Sequence, residues 1–441
     1  MRRLLIVTEM DLWAFPNQRT HHLVRHLSPK FDEIVVLCCS KVTDRSFVGQ
    51  LKGLMMRTQV LPLGDATLVR INPFLNHVES LGLTMLGLES PYSERRRGVR
   101  RVVSSILSNI GCVAEFAILP SLLLTFLLRA RGRFDVCIAE GPWEAALGMI
   151  LRRMGYLKLL VYDDIDFTPG YHSISRFRRN YRLLMERWSM KSSDLITAVG
   201  DLLAELRHKL TGKPVTVVPN GVDLEHFSRA QKKVAHRPTL VYTGNVAGWA
   251  GIDLAIEALP LIAERISDIR LLVVGFSSPE YSAVMESLVE KSGVRGHFSY
   301  VGQKEYRELP EFLRQSDIGL AVFRPVEVRK YAFSLKVIEY MAAGLPVIVT
   351  CGTQSERVVE RYRCGEAIDF DPQAFADCAI RMILDRERYH RYVENGIRAS
   401  REFAWPALVE REYDLIAESY AQRFCSAGNI HRGEVHKPYA A

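Results

Sequence analysis

The chain reads as an α/β protein built from two consecutive doubly wound domains. Short continuous apolar runs alternate with amphipathic helical runs along most of its 441 residues. That pattern belongs to a parallel sheet covered on both faces by helices. A polar, charged stretch, SRAQKKVAHRP at 228–238, separates two such series, as a domain boundary does. A hydrophobic share of 48% supplies apolar surface for more than one large core.

Taken in order, RLLIVTE (3–9) is a strand followed by a helical THHLVRHL (20–27) and a second strand, EIVVLCC (33–39). FDVCIAE (134–140) leads into WEAALGMILRRM (143–154), and LKLLVYD (157–163) precedes a long basic helix around 175–191. DLITAV (194–199) and DLLAELRHKL (201–210) close the first series, and PVTVVPNGVD (214–223) follows. In the second, TLVYTG (239–244) precedes a helix at 251–265, IRLLVVG (269–275) one at 280–290, and HFSYVG (297–302) one at 306–315. DIGLAVF (317–323) and LPVIVT (345–350) are its remaining strands, each followed by a helix. The predicted limits are 1–212 for an acceptor-binding domain and 213–402 for a donor-binding one. A helix at 403–425 returns to the first domain, and 426–441 is a flexible tail. Ligands of such sheets bind outside the carboxyl ends of the strands, so two facing domains enclose a cleft.

The net charge of +8 is uneven: residues 1–205 hold 27 Lys+Arg against 20 Asp+Glu, or +7. Arg95, Arg96, Arg97, Arg100 and Arg101 form a cluster ahead of a long apolar segment, 102–130. A membrane-spanning helix needs about 20 uninterrupted apolar residues, and Asn109, Glu115 and Pro120 interrupt this one. Core helices, or a surface pair dipping into an anionic leaflet, remain as readings. None of the eight cysteines forms a CxxC pair. Buried thiols in a reducing compartment are expected, with no disulfide framework and no metal site. The short apolar N-terminus lacks the features of a signal peptide. A cytoplasmic protein is expected, with contact at the inner face of the plasma membrane as an open reading. Nothing in the pattern points to nucleic acid.

The most informative stretch is SLKVIEYMAAGLPVIVT, 334–350, which sets Lys336 and Glu339 at the start of an apolar helix running into a buried strand. Residues three apart share a helix face, and a helix N-terminus favours anions. The pair suits a diphosphate joined to a ribose; on an isolated helix it would be a solvated charge pair.

With VVPNGVDLEHF (217–227), VYTGNVAGWAGIDLAIEAL (241–259) and SLKVIEYMAAGLPVIV (334–349), the chain resembles the GT-B nucleotide-sugar glycosyltransferases. The resemblance is to family 4 and the related xanthan glucuronosyltransferase type, and it is weaker between residues 41 and 130. It implies a GT-B fold in which Glu339 holds the ribose, Lys336 the diphosphate, and Gly244 with Asn245 the phosphates. It also places Gly302 and Gln303 near the base and Trp249 as a wall of the donor site. Two cations common in the family are replaced by Asn245 and Ala250, which leaves Arg324, Arg329 and Lys330 as candidate helpers. A donor-sugar carboxylate is replaced by Tyr331. The loop WAFPNQRTHH puts Asn17, Gln18 and Arg19 on the acceptor side, as EGPWEAA does Glu140. In VYDDIDFTPG the resemblance favours Asp166, with Asp164 second, as the catalytic carboxylate; capping or a solvated loop accounts for these acids equally. Asp164-Ile165-Asp166 also spells a DxD metal motif, a three-letter match of low specificity. His21 and His22 are expected to pack or to be solvated, and Trp13 to join the core.

The function expected is transfer of a sugar from a nucleoside diphosphate donor to a hydroxyl of a glycan, a lipid-linked glycan or another small acceptor. Neither metal nor cofactor is required. The alternatives are a nucleotide-sugar 2-epimerase of the same fold and a non-catalytic nucleotide-sugar-binding protein. No GxGxxG follows the first strand, which disfavours a dinucleotide enzyme.

Overall fold

The computed structural model describes residues 1–13, 17–39, 58–71, 119–129, 132–170, 176–231, 234 and 237–424. The arginine cluster at 95–101 and the segment 426–441 lie outside them. The first sheet is formed by β1 (Arg3–Thr8), β2 (Glu33–Cys39), β3 (Gln59–Leu63), β4 (Ala66–Ile71), β5 (Phe134–Ala139), β6 (Leu157–Asp164), β7 (Leu195–Ala198) and β8 (Thr216–Val217). The second contains β9 (Thr239–Thr243), β10 (Arg270–Val274), β11 (Phe298–Tyr300), β12 (Ile318–Ala321), β13 (Val347–Thr350) and β14 (Gly365–Ile368). Strand orders are 3-4-2-1-5-6-7-8 and 11-10-9-12-13-14.

Both sheets are parallel except where β3 meets β4. That antiparallel hairpin, turning at Gly64 with φ of 57°, was not anticipated. β8 pairs with β7, so the first sheet runs past the boundary placed at residue 212. The central strands are apolar along their whole length because both faces are covered: Leu4, Leu5, Ile6 and Val7 of β1 are all completely buried. On one face Leu5, Val7, Cys137 and Leu160 pack with residues of 119–129, Pro142–Arg153 and Arg176–Ser192. On the other, Leu4, Ile6, Val136 and Leu159 pack with the Arg19–Leu27 helix and with Trp405, Val409 and Ile416.

Those last three belong to the Trp405–Phe424 helix, which crosses back onto the first domain as expected. Trp405 stacks on His22, with ring centroids 4.3 Å apart and planes at 7°. The chain thus passes between domains twice, and the passages touch: the Val222 amide donates to the Phe403 carbonyl over 2.8 Å. A Cβ on Gly221 would lie 2.5 Å from the Trp405 ring. Close packing of the two crossings makes this the natural pivot.

Candidate active site

The residues that the resemblance assigns to a donor gather where β9 and β10 end. Gly244 follows β9 with φ of 115°, a conformation that L side chains rarely adopt. A Cβ on the adjacent Gly275 would come 1.7 Å from the Gly244 carbonyl, so the two strand ends approach as only glycine permits. Lys336 enters from the Leu335–Ala342 helix, and its Nζ lies 3.4 Å from the place a Gly244 Cβ would occupy. The helix is anchored to this turn by Tyr340, whose hydroxyl oxygen accepts from the Thr243 amide over 2.9 Å. Nζ donates to the Tyr242 hydroxyl over 3.3 Å and lies 4.5 and 5.0 Å from the Tyr242 and Phe323 ring centroids. Burial between these rings, reinforced by Arg329, lowers the Lys336 pKa to about 7 despite Glu339. Burial likewise raises Glu339 to about 7, against the pull of Lys336. Two groups brought near neutrality by desolvation, against their mutual attraction, are characteristic of functional sites.

The loop after Gly244 completes the wall. Asn245 is exposed beside Gly244, and its carbonyl accepts from Tyr242 over 2.6 Å. Trp249 is buried, and the Arg329 guanidinium lies over its ring at 3.7 Å. The Arg329 Nε is buried, with no hydrogen-bond partner among the described residues. Arg324 is engaged with the Gly248 carbonyl (3.1 Å) and the Asp253 carboxylate. Gly302 accepts from the Gly275 amide over 2.8 Å, which places the exposed Gln303 just past that turn on the β11 side. Lys336, Glu339, Gly244, Asn245, Trp249, Gly302 and Gln303 therefore surround one set of strand ends, and Arg329 joins them.

Tyr331, which stands where the resemblance puts a donor-sugar carboxylate, packs across the gap between domains. Its ring meets Phe167 of the first domain edge-on at 5.0 Å, inside a small apolar cluster with Ala198 and Leu203. It ties the domains together.

In the first domain several expected site residues turn inward. Arg19 is buried: its Nε donates to Asp163 and a second nitrogen to Glu412, both over 2.7 Å, and it also holds the Val218 and Pro219 carbonyls. It therefore joins the first sheet, the returning helix and the interdomain passage, and does not face an acceptor. Glu140 is buried too, accepting from the Thr20 hydroxyl over 2.5 Å. Burial and Asp163 raise its pKa to about 7. Gln18 caps the Arg19–Leu27 helix in a reciprocal box with His21. Asn17, exposed with φ of 60°, is the acceptor-side candidate left at the surface.

Asp164 is buried against Arg207, with oxygens 2.5 and 3.3 Å from the guanidinium, and Glu186 completes the group at 2.6 Å. Its lone pairs are spent inside the fold, which removes it both as catalytic carboxylate and as half of a DxD clamp. Asp166 lies two residues on, half-buried, accepting from the Phe167 amide over 2.8 Å. His21 touches the Leu12 carbonyl at 3.1 Å, and Trp13 is 58% exposed at the end of β1, not in the core as expected. Arg207, Asp163 and Tyr340 were not singled out by sequence, because their partners lie 43, 144 and 97 positions away.

Residues 224–399 match the family model for glycosyl transferases group 1, and residues 84–226 that for glycosyltransferase family 4. A phosphatidyl-myo-inositol mannosyltransferase of Mycobacterium leprae is 25% identical over 296 residues, spanning 65% of this chain and 75% of that one. A D-inositol 3-phosphate glycosyltransferase of Xylanimonas cellulosilytica is 28% identical over 308 residues, spanning 65% and 69%. Among solved structures, sucrose-phosphate synthase from Thermosynechococcus elongatus superposes with a TM-score of 0.66 at 15% identity, covering 96% of this chain and all of that one. Anabaena HepE, solved with UDP and glucose, superposes at 0.61 and 14% identity, covering 95% and 100%. With two facing parallel-sheet domains, a returning C-terminal helix and family matches that adjoin from 84 to 399, the chain belongs to the GT-B glycosyltransferases of the family 4 type.

Proposed function

We propose that this glycosyltransferase takes its sugar from a nucleoside diphosphate donor and places it on a hydroxyl of a lipid-linked or inositol-type acceptor. The observation that carries the donor half is Lys336 lying over the Gly244 turn with Glu339 one helical turn along. A diphosphate at that turn meets backbone amides, the ammonium and the Arg329 guanidinium, while Glu339 accepts from ribose hydroxyls. Negative charge that grows on the leaving diphosphate is then met by fixed cations in a site that closure dries. In this reading these cations do the work a metal would otherwise do. Asp166, two residues beyond β6 and half-buried, takes the acceptor proton in this reading. The acceptor class is suggested by relatives whose names specify phosphatidyl-myo-inositol and inositol 3-phosphate.

The test is a screen of UDP-, GDP-, TDP- and ADP-sugars by thermal shift, where binding raises apparent stability by mass action. One donor should raise the melting temperature of the native protein, and Lys336→Ala should abolish that rise while the unliganded variant melts normally. An undiminished shift in Lys336→Ala would sink the assignment.

A further inference from the structure

The helical layer on one face of the first sheet has a composition that no catalytic role explains. It consists of 119–129, Pro142–Arg153 and Arg176–Ser192. Their inward sides fill the core, yet large apolar side chains also point out: Phe177 is 65% exposed, Leu184 64%, Trp188 44%, and Leu124 and Leu128 59% each. Phe177, Leu184 and Trp188 follow one another at helical spacing along a single exposed stripe. Around them Arg129, Arg153, Arg176, Arg187 and Lys191 are exposed. The three helices contain just two carboxylates, Glu144 and Glu186, and both are buried. No exposed negative charge therefore breaks the layer among these residues.

The opposite face shows the contrast. There the Trp405–Phe424 helix covers the sheet and exposes Glu410, Asp414 and Glu418. Ordinary solubility calls for mixed signs of this kind. A face with projecting Trp, Phe and Leu and cations alone is instead complementary to a bilayer with anionic headgroups, where the aromatics sit at the interface and the cations meet phosphate.

We infer that this layer is the surface by which the protein lies on an anionic membrane, with Phe177, Leu184 and Trp188 inserted at headgroup depth. The surface is oriented toward the cleft. The Arg176–Ser192 helix follows the loop beyond β6, and near its start Arg179 pairs with Glu327 of the second domain at 2.8 Å. Phe177 thus marks the end of the stripe nearest the gap between domains. The inference deepens the acceptor half of the proposed function, and it is independent of the donor chemistry.

Flotation of the full chain with vesicles of phosphatidylcholine, alone and with phosphatidylglycerol, tests it in the absence of donor. The native protein should float with the anionic vesicles and be released by salt. Leu184→Ser with Trp188→Ser, and separately Arg187→Glu with Lys191→Glu, should each lower partitioning by about tenfold or more. These side chains are exposed, so unchanged melting curves and unchanged donor thermal shifts are expected and separate this question from the donor assignment. Native protein that ignores anionic vesicles would overturn the inference. So would variants that float undiminished, which would locate attachment elsewhere, such as at residues 95–101. Sedimentation showing that the variants dissociate a native oligomer would make the face a protein interface instead.

Discussion

Lys336 shows how one residue takes its properties from the fold around it. A lysine in water holds its proton to a pKa near 10.4. Between the Tyr242 and Phe323 rings, with Arg329 close by, it falls to about 7. An anionic donor favours the ammonium form, so the contribution of Lys336 to affinity should be full below pH 7 and decline as pH rises through it, by about tenfold per unit until the pKa of the bound state is reached. Lys336→Arg keeps its charge throughout this range and should lose the alkaline decline. Glu339, raised to about 7, gives the opposite limb, since its acceptor oxygens are compromised by protonation at lower pH. Donor affinity of the native chain should therefore peak near neutrality. Titration calorimetry from pH 5.5 to 9 (roughly two units to either side of that peak) would show it, and a flat profile in native protein would refute the assignment of both limbs.

At the scale of elements, the Leu335–Ala342 and Trp405–Phe424 helices were readable because each carries its information within a few turns. The spacing of Lys336 and Glu339, and the glycine after β9, are local features, so their gathering at one set of strand ends was legible in the sequence. The acids of the first domain could not. Whether Asp164 faces an acceptor or the interior is decided by Arg207, which arrives from a helix beyond the next strand. The β3–β4 hairpin escaped because Pro62 demotes a strand reading, although Gly64-Asp65 is by itself a two-residue hairpin signal. Trp13 was misplaced since an aromatic after a buried strand resembles core whether or not anything covers it. The Arg207 cluster yields a prediction that separates structural acids from catalytic ones. Arg207→Ala leaves Asp164 and Glu186 buried and unpaired, which should cost about 3–5 kcal/mol of stability at neutral pH. The loss should shrink as pH falls, because both carboxyls, already biased toward protonation by burial, then become neutral. Asp166→Asn should do the reverse, lowering turnover with little change in stability. Urea denaturation at pH 7.5 and 5.5 (about two units apart, worth about 1.4 kcal/mol per unit for each extra proton held) measures the first effect, and equal losses at both would exclude it.

Across the whole molecule, the two domains meet through few contacts away from the pivot. Gln354 of the second domain accepts from the Leu202 amide over 2.9 Å and donates to Asp201 over 3.2 Å. Arg361 reaches Asp201 at 3.2 Å. Arg357 lies 3.9 Å from Glu205, Arg179 pairs with Glu327 as noted above, and an apolar contact runs from Phe167 and Gly170 to Tyr331 and Val328. Exposed ion pairs of this kind are worth about 0–1 kcal/mol each, so closure rests on shape more than on charge. Gly170 is where shape is tightest, since a Cβ there would fall 2.9 Å from the Val328 amide nitrogen and 3.0 Å from its Cα. Backbone cannot yield as a side-chain end can, so a larger residue must push the second domain away. Gly170→Val should therefore widen the cleft while both cores, which lie elsewhere, stay intact. The expected signature is a larger radius of gyration in solution scattering, a donor thermal shift close to native, and a fall in turnover of about 10²-fold, as misplacement by about 1 Å can produce. Because the groups proposed to hold the donor all belong to the second domain, loss of donor binding together with turnover would show that the contact supports folding and does not govern closure.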